Sequence, residues 1–340
     1  MLVQSIQSYT QTTVYYSAED LPQAVLDTLR ANELSSNVTL PIIEKQLTRR
    51  PDASKRDQCW IVVETSKQVD LILAVTNGDN GAYPVFICPS SSCQCITEFL
   101  QPRLHLLAHA LRAAMPVRRV YSVFAPDVIA HGFISCWTML TGVRAEPAPY
   151  YHAMFSYCTR KSIASQRQLT MFPGLVIELR PAVDRDVNAV ASLCFQFAAD
   201  SAPFFLTEAK ALVEAQKLIS QQQVWVHTIR RTEDPICNEE VASIAAFTRN
   251  SDHVATITKV FTNPHWRRRG CAERLVRRVT RHLLSTKTAV ALYVGHDNPA
   301  RFVYHRCGFL GLANDASLHA GVESWIEIGL DQSKVQLGHW

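Results

Sequence analysis

Val260-Phe261-Thr262-Asn263-Pro264-His265-Trp266-Arg267-Arg268-Arg269-Gly270-Cys271-Ala272 is the stretch whose reading decides the fold. A β-rich run, Ala255 to Thr262, leads through a short basic turn into a helical pattern. In that pattern Ala272, Leu275, Val276, Val279 and Leu283 share one stripe, with Arg274, Arg277, Arg278 and Arg281 opposite. A strand, turn and helix of this kind presents unpaired N–H groups at the positive end of a helix, which is an anion site. Gly270 and Ala272 are small where a backbone must come close to a ligand.

The surrounding composition limits what the anion can be. At 340 residues the chain is long for one unit and is expected to form two domains. Its hydrophobic content of 47% supplies ordinary cores. Met1 to Tyr16 has neither a basic leader nor an apolar core, and no apolar run is long enough for a bilayer. A soluble, cytoplasmic protein without membrane attachment is expected, so the ten cysteines are read as free thiols. Cys88, Cys194 and Cys307 sit in apolar patterns as small core residues. Cys93-Gln94-Cys95 has no second pair or nearby histidine to complete a zinc set, so no metal is expected. The net charge of +4 is local: residues 259–281 hold one Lys, seven Arg and one Glu, net +7, so the remainder sums to −3. Without a broad basic face or a reading module, nucleic acid is not an expected partner.

Elements can be placed on both sides of a polar stretch, Lys161 to Gly174, read as a linker between residues 1–160 and 175–340. After it come a strand at 175–180, helices at 184–200 and 208–221, and strands near 224–229, 241–248 and 255–262. The helix at 272–284 is followed by a strand at 289–294, a helix at 299–307 and strands near 309–312 and 323–330. This is a mixed α/β order and not a regular βαβ ladder, and Gly-x-Gly-x-x-Gly is absent, which argues against a doubly wound dinucleotide fold. The first half repeats the order. It has helices near 18–30 and 40–48, strands at 60–64, 69–76 and 83–88, a helix at 96–114, a strand at 119–124 and a helix at 129–140 stopped by Gly142. Pro89-Ser90-Ser91-Ser92-Cys93 stands where the basic glycine turn would be, so residues 1–160 read as a degenerate copy or as an unrelated α+β domain.

Two motifs carry a resemblance over about 155 residues, Leu175 to Leu330. One is Arg267-x-x-Gly270-x-Ala272 after a strand. The other is Asn298-Pro299-Ala300 followed by Val303-Tyr304-His305-Arg306-Cys307-Gly308-Phe309 after the next strand. Together and in this order they resemble the GNAT superfamily of acyl-CoA-dependent N-acyltransferases. The resemblance implies a mixed α+β sheet of GNAT type, here duplicated. It implies acetyl-CoA or a related acyl-CoA as co-substrate, and direct acyl transfer to a primary amine in a ternary complex, most simply a small-molecule amine. It further implies that Arg267, Arg268, Arg269, Gly270, Cys271 and Ala272 wrap the pyrophosphate. Val260, Phe261 and Thr262 would offer backbone groups to the pantetheine arm, on a strand that splays from 289–294.

For catalysis the resemblance points to Tyr304, as the acid that protonates the departing thiolate, a task suited to a phenol of pKa near ~10. On spacing alone Tyr304 shares a stripe with Ala300, Val303 and Cys307 and reads equally as a core tyrosine. Asn298 before Pro299 is a helix cap, with a cofactor contact implied by the resemblance. Arg274, Arg277, Arg278 and Arg281 read as a solvated helix face, with Arg301 available to a 3′-phosphate. The general base is not legible: Glu239, Glu240, Asp252, His253, His296 and His305 are candidates. Two rival functions fit the same sequence, an inactive acyl-CoA-binding sensor or scaffold, and a binder of an anionic partner through the 259–281 patch.

Overall fold

A computed structural model of the chain describes residues 9–48, 57–78, 81–91, 93–94, 96–165, 173–233, 239–313 and 319–339. The chain divides into two compact units, Met1–His152 with Ser324–Trp340, and Ala153–Glu323.

The first unit begins with β1 (Thr10–Tyr15), α1 (Gln23–Ala31) and α2 (Leu40–Leu47). It continues through β2 (Cys59–Thr65), β3 (Gln68–Val75), β4 (Val85–Pro89) and α3 (Thr97–Ala114). β5 (Ser122–Pro126) and α4 (Asp127–Thr141) follow, and α4 ends on Gly142 in the left-handed region at φ 73°. β1 to β4 pair antiparallel in order, and β4 pairs parallel with β5 only at Val85↔Val123 and Phe86↔Phe124. α3 places Leu100, Leu104, Leu107 and Leu111 on one stripe against Ile61, Val63, Leu71 and Leu73. The last strand of this sheet comes from the far end of the chain: β12 (Glu323–Gly329) pairs antiparallel with β5, from Trp325↔Pro126 to Gly329↔Ser122.

The second unit runs through the same series. β7 (Leu175–Pro181) is followed by α5 (Val187–Ala199) and α6 (Glu208–Ser220), whose N-cap Thr207 accepts from the Lys210 N–H. Next come β8 (Val224–Arg231), β9 (Glu239–Asn250), β10 (Val254–Thr262), α7 (Cys271–Leu283), β11 (Ala289–Gly295) and α8 (Ala300–Cys307). β7 to β10 pair antiparallel in order and β10 pairs parallel with β11. The outer partner of β11 is β6 (Tyr151–Thr159), which precedes the unit's own first strand and pairs antiparallel from Ala289↔Thr159 to Gly295↔Ala153. α5 and α6 cover one face through Val224, Val226, Ile244, Ala246 and Phe261. α7 and α8 cover the other through Trp225, Phe247, Ile257, Leu275 and Leu292.

Each half of the chain thus gives its final strand to the other unit's sheet, so the units differ from the sequence boundaries of 1–160, 161–174 and 175–340. The expected linker is also not loose where it is described. Arg281 Nη2 donates to the Ala164 carbonyl at 3.0 Å and Arg277 Nη1 to that of Ser165 at 3.2 Å, and just before the stretch Arg160 Nε donates to the Leu284 carbonyl at 2.7 Å. Residues 166–172 of that stretch, and Cys95 of the close cysteine pair, lie outside the described residues.

The strand expected near 309–312 is a turn. Gly308 and Gly311 are left-handed at φ 105° and 69°, which breaks an extended run. A side chain at Gly308 would collide with the Ser162–Ile163 backbone. The turn is held to β6 by Leu310 N–H donating to Tyr157 O at 3.0 Å and by Ser156 Oγ donating to Leu310 O. No helix among the described residues is long and apolar enough to cross a membrane.

Candidate functional site

The parallel pairing of β10 with β11 is confined to Val254↔Ala289 through Ile257↔Leu292. From there on only the β9 side of β10 stays paired, at Lys259↔Ala246 through Thr262↔Ser243. Two register shifts mark the parting: Thr248 on β9 and Thr258 on β10 are each skipped by the ladder, and their hydroxyls lie 3.0 Å apart. The edge of residues 258–262 that faces β11 therefore has no ladder partner on that strand, which leaves backbone groups there open to an extended ligand, while the Thr262 carbonyl accepts from Arg267 Nε at 3.3 Å.

The turn after this edge is held rigidly. Ser243 Oγ, fully buried, donates to Phe261 O at 2.9 Å and lies 3.0 Å from Thr262 Oγ1. Asn263 N–H donates to Ala242 O, and Asn263 Oδ1 accepts from the His265 N–H at 3.1 Å. Trp266 is buried, its Nε1 donating to Glu240 at 2.9 Å. Arg268 at φ 62° and Gly270 at φ 71° then turn the chain left-handed on both sides of Arg269. An arginine in that region costs on the order of 1 kcal/mol, held here by the buried turn before it.

Gly270 is the N-cap of α7 and carries no capping side chain; the first intrahelical bond runs from Arg274 N–H to Gly270 O. The N–H groups of Cys271, Ala272 and Glu273 accordingly lack intrahelical acceptors. A Cβ on Gly270 would come within 2.9 Å of Arg274 Nη1. Cys271 is buried beneath the turn with its thiol 3.6 Å from Trp266 O. Burial pushes its pKa up, against the pull of Arg274 and Arg269, so it fills space and is no thiolate.

The predicted residues separate by side-chain direction. Val260 packs against the α7 side and Phe261 against the α5/α6 side, with Thr262 half-buried between β9 and the turn. Arg267, Arg268 and Arg269 are exposed; Arg267 stacks over Phe261 at 5.2 Å and Arg269 over Trp266 at 4.9 Å. Asn298 Oδ1 accepts from the Ala300 N–H at 2.9 Å, so it caps α8. Tyr304, 9% exposed, lies on α8 in the core with Leu292, Val294 and Cys307, its ring 6.0 Å from Phe309.

The arginine face is not a solvated one. Arg277 is 8% exposed and donates to Ser165 O, to Arg306 O at 2.9 Å and to Glu273 Oε1 at 3.0 Å. Arg274 donates to Arg269 O and Arg281 to Ala164 O; only Arg278 of the four is exposed. Arg301, expected near a phosphate, instead holds the carbonyls of Leu312 at 3.1 Å and Ala313 at 3.0 Å. Helical period exposes charge on average, but guanidinium groups on three-methylene stems reach neighbouring carbonyls that the period cannot reveal.

Among the base candidates, Glu239 sits between Arg180 at 3.1 Å and Arg185 at 3.3 Å. Burial raises its pKa, but the hydrogen bond from Thr228 and the two guanidinium charges outweigh it and hold the carboxyl low. Glu240 is occupied by Trp266. Three features were not read from sequence: the half-buried Lys259–Glu214 pair at 2.6 Å, buried His227 on β8, and a group around Arg249 on β9. None lies in a motif, and the Lys259–Glu214 pair joins β10 to α6.

A family model described as FR47-like protein matches residues 236–316, the segment that holds β9, β10, α7, β11 and α8. No curated protein matches the sequence. A tandem GNAT protein from the clavulanic acid biosynthesis pathway superposes with TM-score 0.50 at 12% identity, covering 94% of this chain and 98% of that one. A GCN5-related N-acetyltransferase from Sphaerobacter thermophilus gives TM-score 0.54 at 13% identity, covering 94% of each chain. A Drosophila protein gives 0.58 at 11% identity, covering 94% of this chain and 98% of that one. With the parted parallel strands and the glycine turn in place, the chain has the fold of the GNAT acyltransferases, built as two units.

Proposed function

We propose that the second unit is an acyl-CoA-dependent N-acyltransferase, transferring an acetyl or related acyl group to a primary amine. The observation that carries this is the parting of β10 from β11 after Ile257 and Leu292, directly before the uncapped start of α7. Acyl-CoA has two parts that need such a pair, an amide-bearing arm and a pyrophosphate. The residues fit both. The open edge of Val260, Phe261 and Thr262 suits the amides, and the N–H groups from Arg268 to Ala272 suit the pyrophosphate, where Gly270 leaves room. Arg267, Arg268 and Arg269 are exposed beside that turn and would add positive charge. Asn298 would contribute from the start of α8.

When bound, acyl-CoA supplies an activated thioester. Around it the chain's own groups would orient, exclude water and move protons. Backbone at residues 258–262 would align the thioester with the incoming amine. Tyr304 Oη would give its proton to the leaving sulfur, while the amine loses one to solvent or to a base. The exposed arginine charge is concentrated at Arg267–Arg269 and Arg278, since Arg274, Arg277, Arg281 and Arg301 are engaged with the fold; this favours a compact anion over a broad anionic partner. Thiol release from acetyl-CoA in the presence of a primary-amine panel tests the reading. Amine-dependent release with an acetylated product supports it. Tight binding of acetyl-CoA without release to any amine would favour the sensor function instead.

A further inference from the structure

Two exposed imidazoles stand one turn apart on α3 of the first unit, at His105 and His109. Leu100, Leu104, Leu107 and Leu111 turn one side of this helix into the core, which leaves the two histidines facing solvent. Residues four apart lie above one another on a helix, so the two rings share a face. Their centroids are 4.4 Å apart, with the ring planes at 45°. Neither side chain has a hydrogen-bond or ion-pair partner among the described residues.

This spacing suits a shared ion. A zinc-class ion binds imidazole nitrogen at about 2.0–2.1 Å, so two nitrogens on one ion lie about 3 Å apart. Rings with centres 4.4 Å apart reach that separation by side-chain rotation, with the helix backbone unmoved. Two histidines four apart on one helical face are also the ligand pair of the zinc helices of metalloproteases. Leu106 stands where those helices carry their catalytic glutamate, so this pair has the ligands without the general base. No third His, Cys, Asp or Glu completes a set among the described residues, which leaves the other coordination positions to water. Imidazole nitrogen selects nickel, copper and zinc over magnesium and calcium, which call for oxygen ligands.

We propose that His105 and His109 form a surface site for a zinc-class divalent ion that staples one turn of α3. The site is separate from the Cys93 and Cys95 pair, and it lies in the unit whose sequence lacks the glycine turn. The helix presents the second imidazole to an ion already on the first, so the second bond forms within the molecule and both rings are needed. The pair is assembled only when α3 is folded, so a bound ion stabilises the native state.

Calorimetric titration of untagged protein with NiCl2 and with ZnCl2 tests it, using the wild type, His105→Gln and His109→Gln. His131→Gln, at an exposed histidine of α4, is the control. One equivalent of each ion should bind the wild type, and either substitution on α3 should weaken that binding tenfold or more. His131→Gln should bind as the wild type does, and MgCl2 should not bind at the pair. Glutamine suits an exposed helical position, so unfolding midpoints without metal should agree among the proteins. NiCl2 should then raise the midpoint of the wild type and of His131→Gln, and not of the two α3 variants. Binding that survives either α3 substitution, weakening by only one of them, or no binding of either ion by the wild type would overturn the proposal. The readout involves neither acyl-CoA nor an acceptor, so its outcome is independent of the transferase reading.

Discussion

Replacing Arg277 by Met should destabilise the second unit far more than a surface arginine change allows. The substitution keeps most of the buried stem and removes three donors. Two carbonyls, Ser165 and Arg306, lose charged hydrogen bonds at 3.2 and 2.9 Å, and Glu273 loses one of two guanidinium partners. Glu273 retains Arg306 at 2.7 Å, so its charge is not stranded. Hydrogen bonds to charged groups contribute about 1.5–3 kcal/mol each, and the partial exposure of Glu273 reduces the ion-pair share. A total of about 3 kcal/mol follows. Arg278→Met is the control, because Arg278 is exposed and its contact is stacking over Trp225 at 5.4 Å; it should cost under about 1 kcal/mol. Urea unfolding of the two variants beside the wild type measures the difference. The functional consequence is that Arg277 ties α7, which follows the glycine turn, to α8, which carries Tyr304. Equal destabilisation within about 0.5 kcal/mol would refute this and restore the solvated-face reading.

Tyr304→Phe keeps the ring in its core position and removes the phenol, so kcat should fall by about 10²-fold or more with acetyl-CoA affinity unchanged; an undiminished kcat would exclude it as the acid. Buried His227 has a pKa lowered to about 4, by burial first and by Arg274 second. The unfolded chain takes up a proton there near pH ~6.5 while the folded chain stays neutral, so this contribution is complete above that pH and is lost as pH falls toward about 4. At pH 5 the loss is about 2 kcal/mol relative to pH 7, and in urea unfolding at both pH values His227→Gln should lack that increment. Glu239→Gln should leave turnover within about threefold, because Arg180 and Arg185 already occupy the carboxylate; a loss of two orders of magnitude would make Glu239 the base.

The second half of the fold was legible because its signals are local. Helical stripes and strand alternation lie within ten to fifteen residues, and the Gly270 turn sits between two of them. β1 was missed because Thr10–Tyr15 is polar and nowhere fully buried, so its alternation carries no apolar contrast. β6 was missed for the opposite reason. Met154 and Cys158 face one core while Ala153 and Phe155 face the other side, which erases the period. The exchange of β6 and β12 between the units is a long-range pairing that no local pattern encodes. The candidate site follows the same rule: Gly270 and Tyr304 stood in motifs, whereas the Lys259–Glu214 pair joins β10 to α6 across a separation of 45 residues. The inward-turned arginines of α7 were misread because their acceptors belong to residues 164, 165 and 306, distant in sequence or outside the helix.

Calorimetric titration of acetyl-CoA into the wild type, Gly270→Glu and Tyr304→Phe tests the central claim most directly. Gly270 is left-handed at φ 71°, and a glutamate there would add strain and place a carboxylate at the uncapped start of α7. The account predicts micromolar binding to the wild type and to Tyr304→Phe, and its loss in a folded Gly270→Glu protein. No binding to the wild type, or undiminished binding to Gly270→Glu, would contradict it.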